Sequence, residues 1–188
     1  LSEHKFPIAI GIDPGMQGGI AAVDSMGCLV GVAPLPVIKD EGEFDIPAFH
    51  AWIDEVAEGR RILGAMLEQV WARPDDSKSH AMRLGFTTGV LTGALLSRPC
   101  KVETVPPITW RNAIIDIAMP KADKDATDAD KLARKKMLKQ SSIDFVKRKY
   151  PEVCLRKTER SRTDSDGMAE AICIALYARR FFSRGKAK

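Results

Sequence analysis

The sequence predicts an α/β protein in which a five-stranded mixed sheet is flanked by helices. Three features of the 188-residue chain predict it. Residues 8–32 hold three short apolar runs separated by Gly-containing turns, the pattern of an antiparallel meander. Two later apolar runs, 62–70 and 101–105, each follow a stretch of helical period, as parallel strands joined by crossover helices do. The rest of the chain is helical in pattern and ends in an amphipathic stretch, 164–182.

The elements follow in order. The first run, 8–12, ends on Asp13; Pro14 and Gly15 then turn the chain, and Pro14, which has no amide donor, marks the end of the ladder. Runs 19–23 and 27–32 complete the meander. Residues 34–45 carry two prolines and mixed charge and read as a loop. In 46–58, Ile46, Phe49, Ile53 and Val56 share one helix face, with Asp45 as N-cap and Pro47 in the first turn. Run 62–70 is a buried strand carrying Glu68 near its C-terminal end, and 71–80 is a polar loop. Ser79 caps a helix over 80–97, on which Gly85, Gly89 and Gly93 form a stripe that permits close packing on the sheet or on a second subunit. After the strand at 101–105, Pro106 and Pro107 lead into a helix over 108–119. Residues 120–130 have no hydrophobic period and read as a mobile segment. The helix over 131–150 turns Leu132, Met137 or Leu138, Phe145 and Val146 inward and presents a basic face. Asp164 or Ser165 caps the last helix.

With 45% apolar and 29% charged residues, the chain has the composition of a globular protein with a real core. A single domain spanning 1–188 is expected. Cys28, Cys100, Cys154 and Cys173 are scattered without a CxxC pair, so neither a zinc site nor a disulfide framework is expected. No apolar run has the length of a membrane span, and the first residues lack a signal-peptide pattern. These features set the expectation of an intracellular location: cytoplasm or nucleoid, a phage-infected cell or an organelle matrix. Charge is unevenly placed. Residues 1–100 hold 8 Lys+Arg against 13 Asp+Glu, and residues 101–188 hold 21 against 12, balances of −5 and +9. A basic second half points to an anionic partner, of which nucleic acid is the commonest; a solvated helix face accounts for the same charge.

Four carboxylates stand out. Asp13 ends a buried strand, where it either caps the turn or meets a cation, since a lone buried charge is costly. Glu68 ends a second central strand, where it either pairs with an Arg at the sheet edge or lines the ligand site that open α/β sheets form at such ends. Asp166 and Glu170 are spaced i, i+4, which puts their Cβ atoms about 5–6 Å apart on one helix face. Like charges so placed destabilise a helix unless a cation lies between them. A solvated acidic face is the alternative, weakened by Ala169, Ala171 and Ile172 around Glu170.

Three strands, helix, strand, helix, strand and then helices is the element order of the RNase H-like fold, in which the first and fourth strands are neighbours. Such a fold brings Asp13 beside Glu68 and lays the last helix across them. Gly11-Ile12-Asp13-Pro14-Gly15 resembles the opening motif of RuvC-type Holliday-junction resolvases. Leu67-Glu68-Gln69-Val70 resembles their second motif, and Asp166-Gly167-Met168-Ala169-Glu170-Ala171 resembles their last, in the form found in the phage and chloroplast branch. Pro107-Ile108-Thr109-Trp110-Arg111 is similar to a Pro-x-x-Trp-basic segment of that branch. One departure is clear. Bacterial RuvC ends in Asp-x-x-Asp, whereas the residue three before Glu170 is Gly167; Asp166 is therefore taken as the ligand, with Asp164 as a possible substitute.

The resemblance implies divalent-metal hydrolysis of DNA phosphodiesters at four-way junctions, with two Mg²⁺ ions per site and Mn²⁺ able to substitute; the two equivalent strands of a junction separately call for a homodimer. The resemblance assigns Asp13, Glu68, Asp166 and Glu170 as ligands, Asp13 bridging the ions. Such a set suits a hard cation that takes oxygen ligands and a two-ion hydrolytic site. The expected DNA contacts are Trp71, Arg73 and Lys78 near the junction centre, Trp110 and Arg111, and the basic residues Lys135, Lys136, Lys139, Arg156, Lys157, Arg160 and Arg162. Two alternatives stand beside this reading. One is a nuclease of the same fold acting on other branched DNA or RNA–DNA hybrids. The other is a non-catalytic junction-binding module, against which the acidic set argues, since anions repel DNA unless metal intervenes.

Overall fold

The computed structural model describes residues 5–38, 42–72, 77–115 and 127–184. Its main sheet is built from β1 (Ile8–Asp13), β2 (Gly19–Asp24), β3 (Leu29–Pro34), β6 (Ile62–Glu68) and β7 (Val102–Val105), in the order β3-β2-β1-β6-β7. β1, β2 and β3 are antiparallel neighbours, whereas β1–β6 and β6–β7 are parallel, so the expected five-stranded mixed sheet is present. Two short strands, β4 (Val37–Ile38) and β5 (Glu43–Phe44), pair with each other where the sequence reads as a loop.

Period-two alternation assigns the faces. Ile10, Ile12, Ile20, Ala65 and Leu67 pack with Phe49 and Ile53 of α1 (Ile46–Ala57) and with Leu91 and Leu95 of α2 (Lys78–Leu96). Ala9, Ala21, Val23, Met66 and Val105 point the other way. That second face is covered by α5 (Asp166–Arg184), with α3 (Pro107–Ile114) and α4 (Asp128–Lys149) packed beside it. Asp13 and Glu68 continue the Ala9–Gly11 and Met66 series and so belong to the face under α5.

Glycine lets α5 sit unusually close. A Cβ on Gly11 would lie 2.1 Å from the Ala175 nitrogen, and one on Gly19 would lie 2.7 Å from Met168 Cα. Gly167 is closed from the other side: its Cβ would meet the Gln17 carbonyl oxygen and Gly18 Cα at 2.6 Å. The backbone of the β1–β2 turn therefore occupies the place where a side chain three residues before Glu170 would stand.

The helix ends depart from the sequence reading at identifiable caps. Asp45 caps α1 by accepting from the Ala48 N–H at 2.9 Å. Ser77, rather than Ser79, caps α2, so Lys78 is the first helical residue and not part of a loop. Thr127, the N-cap, and Asp130 form a capping box that starts α4, so residues 128–130 belong to that helix and not to a mobile segment. Residues 120–126 of that segment, and Arg73, lie outside the described residues. Leu132 is 54% exposed, against expectation, and of Met137 and Leu138 it is Leu138 that is half-buried; the buried residues of α4 are Ser142, Ile143 and Val146, in its second half. Among the described residues no helix is long and apolar enough to cross a membrane.

Candidate active site

Three of the four singled-out carboxylates converge. Ile12 of β1 registers with Leu67 of β6, so Asp13 and Glu68 leave the sheet side by side. Glu170, one turn into α5, is delivered onto them by the glycine contacts at Gly11 and Gly19. Each of Asp13, Glu68 and Glu170 offers an oxygen, and the three oxygens lie within 4.8 Å of one another. Glu170 is only 6% exposed; Asp13 and Glu68 are half-buried.

Each carboxylate has a distinct support. Asp13 accepts from the Gly15 N–H at 3.3 Å, so it holds its turn while facing the cluster. Glu68 accepts from the indole N–H of Trp110 at 2.9 Å, not from an arginine at the sheet edge. Glu170 pairs with Arg111 at 2.5 Å. Trp110 and Arg111 are consecutive on α3, which starts at the Pro106–Pro107 break directly after β7, itself the neighbour of β6. The Arg111 guanidinium also lies 4.6 Å from the centre of the Trp110 ring.

The fourth acid stands apart. Asp166 is bonded to Lys139 of α4 and is not among the three converging oxygens, although its charge is felt by Asp13 and Glu170. Asp164 is bonded to Lys147. Lys157 donates to the Gln17 carbonyl and to Gln17 Oε1, at 2.8 and 2.6 Å, on the turn beside the cluster.

The electrostatics follow from burial. Burial pushes the Glu68 carboxyl up to about 7, with the Asp13 charge adding to it and the Trp110 hydrogen bond and Arg111 charge opposing it. Burial likewise pushes Glu170 up to about 8; Arg111 pulls it down, and Asp13, Glu68 and Asp166 push it further up. Asp13 is raised, again by burial first, against the Gly15 hydrogen bond. Burial would raise Asp166 too, but the hydrogen bond and charge of Lys139 hold it below the usual carboxylate range. Three crowded acids that resist ionisation make a site short of positive charge. Their donors are all carboxylate oxygens, a set that fits a hard divalent cation.

The residues expected at DNA divide into two groups. Trp71 (69% exposed), Lys78, Lys135, Lys136, Arg156, Arg160 and Arg162 are on the surface. Trp110 is not: it is fully buried, because its large apolar ring fills the space between β6, β7 and α5 and its one donor is used on Glu68. Its expected DNA contact is corrected to support of a carboxylate. Arg111, Lys139 and Lys157 are likewise turned onto protein groups, namely Glu170, Asp166 and Gln17.

Sheet order, parallel β1–β6 pairing and a last helix crossing both define an RNase H-like α/β fold. Solved structures narrow this to the fold of RuvC. A structure described as T. thermophilus RuvC in complex with Holliday junction substrate matches with a TM-score of 0.52 at 16% identity, covering 96% of each chain. A second Thermus thermophilus RuvC structure matches with a TM-score of 0.51 at 20% identity, covering 95% of this chain and 96% of that one. No protein-family model and no curated protein matches the chain.

Proposed function

We propose that the protein is a divalent-metal-dependent nuclease of the RuvC kind, cutting four-way DNA junctions by paired phosphodiester hydrolysis. The observation that carries this reading is the convergence of Asp13, Glu68 and Glu170, from β1, β6 and α5, on one point. Asp13, Glu68 and Glu170 would hold Mg²⁺ or Mn²⁺, and Asp166 would join them on releasing Lys139. Bound divalent ions supply the charge that acidifies an attacking water and stabilises the leaving 3′-oxygen. Glu68 and Glu170, the two acids pushed to about 7 and about 8, would have to be deprotonated to hold the cations. Trp110 fixes the orientation of Glu68, and Arg111 limits the charge that Glu170 brings to the cluster.

Membership of the phage and chloroplast branch rests on sequence resemblance alone, in Pro107-Ile108-Thr109-Trp110-Arg111 and in the Asp166–Glu170 spacing. Lys135, Lys136, Arg156, Arg160 and Arg162 would track the phosphates, and Trp71 and Lys78 would approach the junction centre. The homodimer that a two-fold junction calls for has a surface available on α2. There Met82, Phe86 and Leu96 are 77%, 63% and 62% exposed, and Gly85, Gly89 and Gly93 have nothing within 4 Å of an added Cβ.

The test is cleavage of four substrates, a four-way junction, a Y-fork, a plain duplex and an RNA–DNA hybrid, each with Mg²⁺, Mn²⁺ or Ca²⁺. The junction should be cut in preference to the others with Mg²⁺ or Mn²⁺. Preference for the hybrid or the fork would assign the fold to a different substrate, and binding without cleavage in every metal would make it a junction-binding module.

A further inference from the structure

The end of α5 opposite the carboxylates carries a second cluster that the nuclease reading does not use. Phe181 lies eleven residues beyond Glu170, about 16 Å along the helix. It lines a cavity of about 620 Å³ at the starts of β6 and β7, the opposite end of the sheet from Asp13 and Glu68. Four cations stand around this cavity: Arg61 and Lys101, just before the two strands, and Arg180 and Arg184 from α5. Glu103 is the one carboxylate on the wall among the described residues. None of the four cations has an ion-pair partner among the described residues.

The wall between these cations is aromatic. The Tyr177 and Phe181 rings are stacked, 6.4 Å apart at 26°, and Phe182 stands edge-on to Phe181 at 5.2 Å. Phe182 is seated against Gly64, where a Cβ would meet its ring at 2.5 Å. Phe181 therefore rests on a fixed base yet is 46% exposed. Arg180 is held by the Ala113 carbonyl at 2.6 Å and also borders a neighbouring cavity of about 450 Å³, lined by Arg148, Lys149, Arg179 and Phe145.

Cations at a helix C-terminus favour the helix dipole, and that accounts for Arg184. It does not account for Arg61 and Lys101, which come from the sheet, or for a supported aromatic face left open to solvent. A ligand that satisfies both features has a flat apolar face and a phosphate within one residue of each other. We propose that this end of α5 is a binding groove for single-stranded nucleic acid, with a base on Phe181 and successive phosphates on the cations shared through Arg180. A duplex does not fit the same groove, because its bases are stacked on each other and not available to an aromatic side chain. The two adjoining cavities favour a strand over a free nucleotide.

The experiment is fluorescence anisotropy of a labelled oligothymidylate with the full chain in EDTA. Phe181→Ala should weaken binding about tenfold, the loss of roughly one stacked base, while duplex affinity stays unchanged. Glu170→Gln should leave oligothymidylate binding intact, so failure of this site and failure of the nuclease reading are told apart. An oligonucleotide carrying 5-iodouracil should cross-link to Tyr177 or Phe181 in the unsubstituted protein, a readout independent of any variant's folding. Equal affinity of Phe181→Ala for the oligonucleotide, or cross-links only elsewhere, would overturn the proposal. So would competition by polyglutamate or by thymidine monophosphate as effective as that of the oligonucleotide.

Discussion

Arg111 and Glu170 meet at 2.5 Å with their side chains only 12% and 8% exposed, which places one permanent cation inside the acidic cluster. Arg111 lowers the Glu170 pKa against the upward push of burial and of three other carboxylates. Replacing it by Met keeps an unbranched side chain, while removing the charge and the guanidinium contact with the Trp110 ring. Glu170 then holds its proton to higher pH, and protons compete longer with metal. The pH midpoint of Mn²⁺ binding, followed by calorimetry, should move up by about one unit, a charge effect of about 1.4 kcal/mol. An unmoved midpoint would remove Arg111 from the electrostatics of the site.

The raised carboxyls also set the pH dependence of stability. Between the ordinary carboxylate range and about 8, the native protein binds more protons than the unfolded chain, through Glu68 at about 7 and Glu170 at about 8. Stability from these two groups is therefore fully present below their unfolded values and is lost as pH rises through 7 and 8. Thermal melts in EDTA should show Tm falling between pH 6 and pH 9, and added Mg²⁺ should raise Tm by more at pH 9 than at pH 6. A Tm in EDTA that rises over this window would contradict the burial of Glu68 and Glu170.

Trp110→Phe removes the indole donor from Glu68 while retaining a ring in the core. Losing a partner that orients a metal ligand typically costs 10–100-fold in metal affinity, and that range is expected here for Mn²⁺. A fall in Tm with unchanged metal affinity would reduce Trp110 to a packing role.

Much of this arrangement is legible in the sequence, and the illegible part has a common cause. Asp13 and Glu68 are found because each ends an apolar run, and period-two alternation puts both on one face. Glu170 is found because helical spacing sets it among apolar neighbours. Its partner is not, since Arg111 is 59 residues away and Trp110 is 42 residues from Glu68. In sequence both look like DNA contacts, because a Trp-Arg pair has that chemistry when exposed. The cue is Pro106–Pro107, which turns the chain back over the sheet beside Glu68. The i, i+4 spacing alone groups Asp166 with Glu170, and nothing local signals that Lys139 claims it. Gly167, a departure from the bacterial pattern, gains a reason only in three dimensions, where the Gln17–Gly18 backbone fills its side-chain space.

The exposed stripe of α2 tests the dimer. Gly89 has open space around it, so Gly89→Asp should leave Tm within a few degrees apart from the cost of helix propensity. It should convert a dimer in light scattering to a monomer and leave only unpaired nicks in a supercoiled cruciform. A monomer for the unsubstituted protein at micromolar concentration, alone and on a junction, would exclude this interface.

The most direct measurement is cleavage of a synthetic four-way junction with Mg²⁺ by the unsubstituted protein and by Asp13→Asn, Glu68→Gln, Glu170→Gln, Asp166→Asn and Asp164→Asn. The unsubstituted protein should make symmetric paired cuts. The first three variants and Asp166→Asn should lose cutting and keep junction binding, and Asp164→Asn should cut near-normally. Cleavage that survives Glu170→Gln, or no cleavage by the unsubstituted protein in Mg²⁺ or Mn²⁺, would contradict a metal-dependent junction nuclease built on these carboxylates.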